Sequence, residues 1–425
     1  MNFPLPILQT VSAAVPWTYL VFALIGFSFG FALEISGFGN SKKLAAQFYF
    51  TDLTVLKVMF TAIVVAMVFI FGMTGLGILD FNLVWVNLTY LSSGILGGLI
   101  MGVGFVIGGF CPGTSVVSAA TGKIDGMIFL VGGFFGAFLF GETEQYFSNW
   151  WNNAGYYGRV TLMDVFKLPT GVVVLLVVFM ALFMFWGGEQ LERLIGKKDL
   201  SKEPKQRIYG AAALVVLALA VVFIGKPSTE TKYARVQINR TINEQAVKMG
   251  ADQALAEHQV QIVPAELFKS MNDDTLKLTM LDVRSEADFN LFHIRRTTNI
   301  PVAQLSMHVP QLLAGSAPNA VYVVMSNDEQ LSTQAWRLLV AESIPNVYIL
   351  EGGVNNWISF FGKDDPEIMR ASQPAAVEQL QFAFPSALGD RYNCSDPSPI
   401  EYETLKFDPR IQLQLKRDKS GGGCG

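Results

Sequence analysis

The sequence predicts an α-helical polytopic membrane domain with an internal repeat, followed by an α/β domain built on a parallel sheet. Three observations carry this reading. Charge is divided unevenly: 16% of the 425 residues are charged, where about a quarter is usual in soluble proteins, and the deficit lies in residues 1–225. That half holds six long apolar blocks, and its glycine-punctuated segments repeat. Beyond residue 259 the segments "LTMLDV", "AVYVVM", "STQAWRLLVAE" and "NVYIL" alternate between strand and helix patterns, the order of a parallel α/β sheet.

A membrane-crossing helix needs about 20 apolar residues. The candidates are Trp17–Ile35, Val58–Leu79, Tyr90–Phe110, Met127–Gly141, Pro169–Gly187 and Ile208–Gly225. The start "MNFPLPILQTVSAAVPW" has no basic region, so the first block is expected to stay rather than be cleaved as a signal. Gly94, Gly98 and Gly102 stand four apart, a spacing that lets helix backbones approach. The Trp and Tyr cluster of "ETEQYFSNWWNNAGYYGRV" suits the headgroup layer. Arg193, Lys197, Lys198, Lys202, Lys205 and Arg207 mark the loop after the fifth block as cytoplasmic, which places the polar domain outside. The uncharged run 81–122 is too long for one span and too short for two, so a re-entrant segment is expected there.

The repeat has an offset of 72 residues. "GFSFGFALEISGFG" (26–39) aligns without gaps on "GLIMGVGFVIGGFC" (98–111). Two glycine-punctuated helices that break at matching places point to a transport site. In the second copy, "FCPGTS" reads as one helix ending and another starting with Pro112 in its first turn. Cys111 is then the N-cap. Free N–H groups at a helix start attract anions, and Gly113, Thr114 and Ser115 would complete a small polar pocket with one sulfur. The competing reading is a buried structural thiol beside a proline kink. Glu34 is the other ionisable oddity, functional by default inside a span, or else a helix-end residue at the interface.

"ALEISGFGNSKKLAAQFYFTD" and "GGFCPGTSVVSAATGKIDG" resemble the YeeE/YedE sulfur-transport family, whose members import thiosulfate. The resemblance covers residues 17–225. It implies a narrow path on which Cys111 meets the passing sulfur anion through a weak S–H contact. The matching first-copy position, often a cysteine in that family, is Gly39. The resemblance implies a bacterial inner-membrane protein.

Residues 227–258 ("INEQAVKMGADQALAEHQ") are expected to form a helical linker, residues 259–365 the α/β domain, and 366–425 an irregular tail. "LDVRSEADF", "HIRRTTNIP" and "VYILEGGVNNW" resemble the rhodanese-like domain, which implies roles for Asp282, Arg284, His293, Glu351, Gly352 and Gly353. In that family a cysteine opens a loop of backbone N–H groups that cradles a persulfide. Counting back from Ser332 places Ser326 there, with Glu329 at the loop's glycine position and Leu331 at its basic one. A serine hydroxyl cannot carry a persulfide, so the domain is expected to dock or regulate rather than to turn over, and Asp282, Arg284 and His293 to serve as structural partners.

A net charge of −4 offers no nucleic-acid surface. No metal and no cofactor are expected. Three cysteines, Cys111, Cys394 and Cys424, make no disulfide framework. The expected partners are membrane lipid, a small sulfur anion, and a sulfur-handling protein or larger complex on the soluble domain. Two alternatives belong to other classes: a non-transporting subunit of a membrane complex, and a membrane-tethered sulfurtransferase using Cys394 or Cys424.

Overall fold

The computed structural model describes residues 17–84, 86–197, 206–242, 245–315, 319–362, 369–370, 377–383, 393–400, 402 and 404–413. Cys424 lies outside the described residues. The chain divides into two compact units, one within residues 3–226 and the other within 227–418.

The first unit is helical. Helix α1 (Trp17–Ile35) ends at a break, followed by α2 (Ser41–Ala45), a 3-10 turn (Ala46–Tyr49) and α3 (Thr54–Gly75). After β1 (Thr89–Tyr90) come α4 (Leu91–Gly108), a second break, α5 (Pro112–Ala120) and α6 (Ile124–Thr143). Short α7 (Ser148–Asn153), β2 (Tyr156–Gly158) and α8 (Leu162–Phe166) lead to α9 (Thr170–Leu194) and α10 (Gln206–Ile224). All six expected blocks are helical. Among the described residues five segments are long and apolar enough to cross a membrane, one being α4 and α5 taken together as Leu91–Ala120; the described apolar part of α1 (Tyr19–Ile35) is shorter. The uncharged run is thus one long helix, a break and a short helix. Phe22, Phe27, Phe134 and Phe183 are exposed, as expected of helices whose solvent is hydrocarbon.

Packing in this unit follows small side chains. Val64 and Val68 of α3, Val174, Val178 and Ala181 of α9, and Ala218 and Val221 of α10 form one buried cluster. Gly171 permits it: a Cβ there would lie 2.6 Å from the Val222 Cα. Both repeat breaks turn on a glycine with left-handed backbone, Gly37 (φ 77°) and Gly109 (φ 72°), 72 residues apart. Helix α1 packs on α5 while α2 packs on α4, the reciprocal contacts that two related copies produce.

The second unit begins with α11 (Thr229–Tyr233) and an antiparallel hairpin, β3 (Gln237–Ile242) and β4 (Gln245–Gly250), before α12 (Ala251–Ala256). This corrects the expected helical linker. In "QINRTI" every second residue from Ile238 to Arg240 is buried while its neighbours are not, a period of two that belongs to a strand. Then follow β5 (Gln261–Ile262), α13 (Pro264–Met271), β6 (Lys277–Asp282), α14 (Glu286–Leu291), β7 (Phe292–Ile294), β8 (Thr297–Asn299), α15 (Val302–Ala314), β9 (Ala320–Met325), α16 (Gln330–Ala341), β10 (Val347–Leu350) and α17 (Gly353–Phe361).

Five strands form one parallel sheet in the order β5-β10-β9-β6-β8. Every residue of β9 is buried, as a central parallel strand covered on both faces requires. Tyr322 and Val324 pack with Leu305, Trp336 and Leu339 of α15 and α16. Val321, Val323 and Met325 pack with Leu267, Trp357 and Ile358 of α13 and α17.

The tail adds β11 (Met369–Arg370), β12 (Phe382–Ala383) and β13 (Asn393–Ser395). β11 pairs with β12, and β13 lies parallel to β7. Its described residues are therefore part of the second unit and not an irregular appendage. Trp357 donates its indole N–H to Ser395 Oγ at 2.8 Å, and Phe382 is buried against the core of the α13 side.

Candidate functional site

The second repeat break is built as its residue types dictate. Gly109 takes the left-handed conformation in which a side chain is strained, and a Cβ there would also press on Ser41 at 3.1 Å. Cys111 is extended (φ −92°, ψ 166°) and caps α5. Pro112 and Gly113 form the first turn, where Pro112's missing N–H costs nothing. Thr114 N–H points at Cys111 Sγ at 3.4 Å, Thr114 Oγ1 lies 3.3 Å from the same sulfur, and Cys111 N–H donates to Thr114 Oγ1 at 3.0 Å. This is a reciprocal capping box with sulfur in the usual oxygen's place.

Ser115 donates to the Pro112 carbonyl at 2.7 Å. Thr114, Ser115 and Ser118 are buried, while Cys111 is only half-buried. Ser118 Oγ has no hydrogen-bond partner among the described residues. Gly126 brings α6 against it: a Cβ there would lie 2.5 Å from Ser118. The expected thiol, proline and hydroxyls thus sit together on one short helix with a partly open sulfur.

The first break is arranged differently. Asn40 caps α2 by accepting from Lys42 N–H at 3.0 Å. Glu34 is not deep in the fold. It forms an ion pair with Lys123 at 3.2 Å, and both side chains are 42% exposed. A Cβ at Gly39 would lie 2.6 Å from Glu34 Oε2 and 2.8 Å from Lys123 Nζ. Lys43 donates to the Ser36 carbonyl at 2.8 Å, so two ammonium groups converge on this break. Phe38 and Phe110, matched by the repeat, are buried in one cluster with Leu44 and Val55.

Sequence reasoning missed Glu192. It lay past the expected end of its span at Gly187, in a segment read as loop. Helix α9 instead runs on to Leu194, and Glu192 is fully buried. Its carboxylate accepts from Leu53 N–H at 2.6 Å and from Lys57 at 2.5 Å. It therefore satisfies the start of α3 and neutralises a lysine inside that helix. The signal available was an acid one turn past an apolar run.

In the second unit the polar motif residues are held by contacts within the fold. Asp282 and Arg284 form a fully buried ion pair at 2.5 Å. Arg284 also donates to Asn327 Oδ1 at 2.9 Å and to the Phe292 carbonyl at 2.7 Å, which ties β7 to the loop after β9. His293 stacks on Phe289 with ring centroids 4.2 Å apart, and its Nδ1 lies 3.1 Å from the Phe289 carbonyl. Its backbone pairs with that of Cys394, so the structure does not bring His293 to the loop.

Ser326 directly follows β9 and opens that loop, fully buried. Its Oγ accepts from Ser332 N–H at 3.2 Å. Gly353 has φ 62°, and a side chain there would strike the carbonyls of Ser326, Asn327 and Asp328. Val354 N–H donates to the Ser326 carbonyl at 2.8 Å. Glu351 N–H donates to the Ile262 carbonyl at 2.9 Å. Glu329 folds back to accept from Gly352 N–H at 2.7 Å. A second carboxylate, from Glu378 of the tail, lies on the loop: its Oε1 accepts from Leu331 N–H at 2.8 Å and from Ser326 Oγ at 3.0 Å. Nothing in the sequence announced that contact.

Comparison with known proteins finds two family matches, the first of which runs past the boundary at residue 226. A family model described as sulphur transport matches residues 36–256, and one described as a rhodanese-like domain matches 263–360. No curated protein matches the chain. Among solved structures, the BH2092 protein of Bacillus halodurans is 15% identical, with 26% of this chain and 78% of that chain covered and a TM-score of 0.22. A protein from Lactobacillus plantarum is 21% identical, with 26% and 91% covered and a TM-score of 0.22.

Proposed function

The chain belongs to the sulphur transport family, and from that premise we propose that it passes a small sulfur-containing anion, thiosulfate, across the bacterial inner membrane by way of Cys111. It is an integral membrane protein with helices of spanning length and a rhodanese-like domain. The observation that carries the proposal is the sulfur cap of α5. A half-open thiol stands at the N-terminus of a helix that begins at a chain break, with Thr114 and Ser115 beside it. Helix N–H groups favour an anion there, and a thiol can donate weakly to thiosulfate without binding it tightly enough to stop release. Lys43 and Lys123 supply positive charge at the companion break. In this reading Glu34, Gly39 and Pro112–Ser115 line the path.

The rhodanese-like domain, placed on the periplasmic side, docks or regulates and does not turn over sulfur. Support comes from the position of Ser326 directly after β9, where a nucleophile would stand, and from the carboxylate already resting on its loop.

Uptake of labelled thiosulfate into reconstituted liposomes tests the transport reading. Serine is a strong N-cap, so Cys111→Ser keeps the capping box while removing the thiol. Cys111→Ala removes both. Wild-type protein is expected to move the label, and both variants to lose at least about tenfold in rate, equivalent to about 1.4 kcal/mol in barrier. Full uptake by Cys111→Ser would remove the thiol from the mechanism, and no uptake by wild type would remove transport.

A further inference from the structure

The loop that should cradle a persulfide is occupied by the chain itself. Glu378 reaches it with side chain and backbone together. Besides Leu331 N–H and Ser326 Oγ, its carboxylate faces Asp328 N–H at 3.5 Å. Asp328 Oδ2 accepts from Glu378 N–H at 2.9 Å, and Asn327 Nδ2 donates to the Glu378 carbonyl at 3.0 Å. Asn355 extends the recognition, donating to the Gln379 carbonyl and accepting from Gln381 N–H, at 2.9 and 2.8 Å. Phe382 then enters the core. Glu378 holds a positive φ of 62°, a conformation a non-glycine residue keeps only when its surroundings impose it.

We propose that residues 326–332 together with Asn355 form a glutamate-reading peptide site, filled in cis by the segment 377–382. The chemistry distinguishes this ligand from an inorganic sulfur anion. A small dianion would meet the carboxylates of Asp328 and Glu329 on the loop, and Arg284, which bonds to Asn327 behind it, is already paired with Asp282. A peptide glutamate instead supplies the N–H that Asp328 accepts, the carbonyl that Asn327 reads, and a single charge for the N–H groups at the start of α16. Arg284 supports the site from behind: it holds Asn327 Oδ1 and leaves Asn327 Nδ2 free to face the tail. A partner's acidic segment reaches this loop only by displacing the chain's own.

Hydrogen exchange on the full chain in lipid nanodiscs tests this. In Glu378→Ala the amides of Asp328, Leu331 and Gln381 are expected to exchange at least about tenfold faster, while those of β9 and β10 stay protected. Ser326→Ala, which alters the site from the opposite side, is expected to move the same amides less. The synthetic peptide AAVEQLQFAFP, residues 375–385, added at millimolar concentration to match a tethered competitor, is expected to restore protection at Leu331 in Glu378→Ala. The same peptide with alanine for its glutamate is expected to fail. Unchanged exchange in both variants, or no restoration by the glutamate peptide, overturns the proposal. So does protection of Leu331 in Glu378→Ala by thiosulfate alone, which would make the loop a simple anion site. Uptake plays no part in the readout, so the outcome is separate from that of the transport reading.

Discussion

Glu34 of the first repeat copy and Lys123, which caps α6, form a 3.2 Å ion pair, and their charged ends occupy the space into which a side chain at Gly39 would project. Gly39, the first-copy position aligned with Cys111, is therefore matched to the pair beside it. An exposed pair contributes at most about 1 kcal/mol, so its interest lies in this coupling. Gly39→Cys is expected to push the pair apart and lower thermal stability slightly. In a background already carrying Glu34→Gln, the same substitution should cost less. A double-mutant cycle on thermal unfolding in micelles measures the coupling, and strict additivity would show that the two positions are independent.

Gly109 offers a sharper contrast. Substitution by alanine imposes left-handed backbone, about 1–2 kcal/mol, and adds pressure on Ser41. Gly98 lies in the same apolar run with no neighbour within 4 Å. Gly98→Ala is expected to be neutral or to stabilise by about 0.5–1 kcal/mol, as in a helix interior. Unfolding temperatures of the two variants should therefore move in opposite directions.

Removing a partner from a buried ion pair leaves the other charge uncompensated, at about 3–5 kcal/mol. Glu192→Ala is expected to fall in this class, because it strands Lys57 and the Leu53 N–H together. Lys57→Met in the same chain removes the stranded cation and should recover part of the loss. Denaturation monitored by tryptophan fluorescence would show whether it does.

The soluble unit has a pH-dependent fastening. Burial pushes the Glu266 carboxyl above the usual carboxylate range, although the Ile411 and Arg410 N–H groups that donate to it, at 2.7 Å each, pull the other way. A carboxyl with a raised native pKa binds more protons folded than unfolded, so stability falls as pH rises through the window above the unfolded value, near 4.3. Stability of this unit is expected to decline over that window and then level off. Glu266→Gln should flatten the decline, which denaturant titrations at stepped pH would register.

How legible was this in the sequence? The six apolar blocks, the repeat and the parallel sheet follow from periodicities that local chemistry enforces. Helix breaks at Gly37 and Gly109 were visible because glycine and Cys111-Pro112 have few other uses in hydrocarbon. The hairpin at 237–250 was misread because the helix-forming composition of "NEQAVKMGADQALAEH" outweighed the β-branched residues of "QINRTI". Glu192 was missed because composition alone set the end of its span. Glu378 was invisible for a deeper reason. Its partners lie roughly fifty residues away, and no local pattern encodes where a tail returns.

The return of that tail sets the limits within which the soluble half can be handled. A chain cut after residue 365 would lose β13 and leave β7 with an unpaired edge, a template for intermolecular strand addition. It would also strand the Trp357 indole and the Glu266 carboxylate. Such a fragment would aggregate, whereas one running through residue 413 keeps its own edge covered.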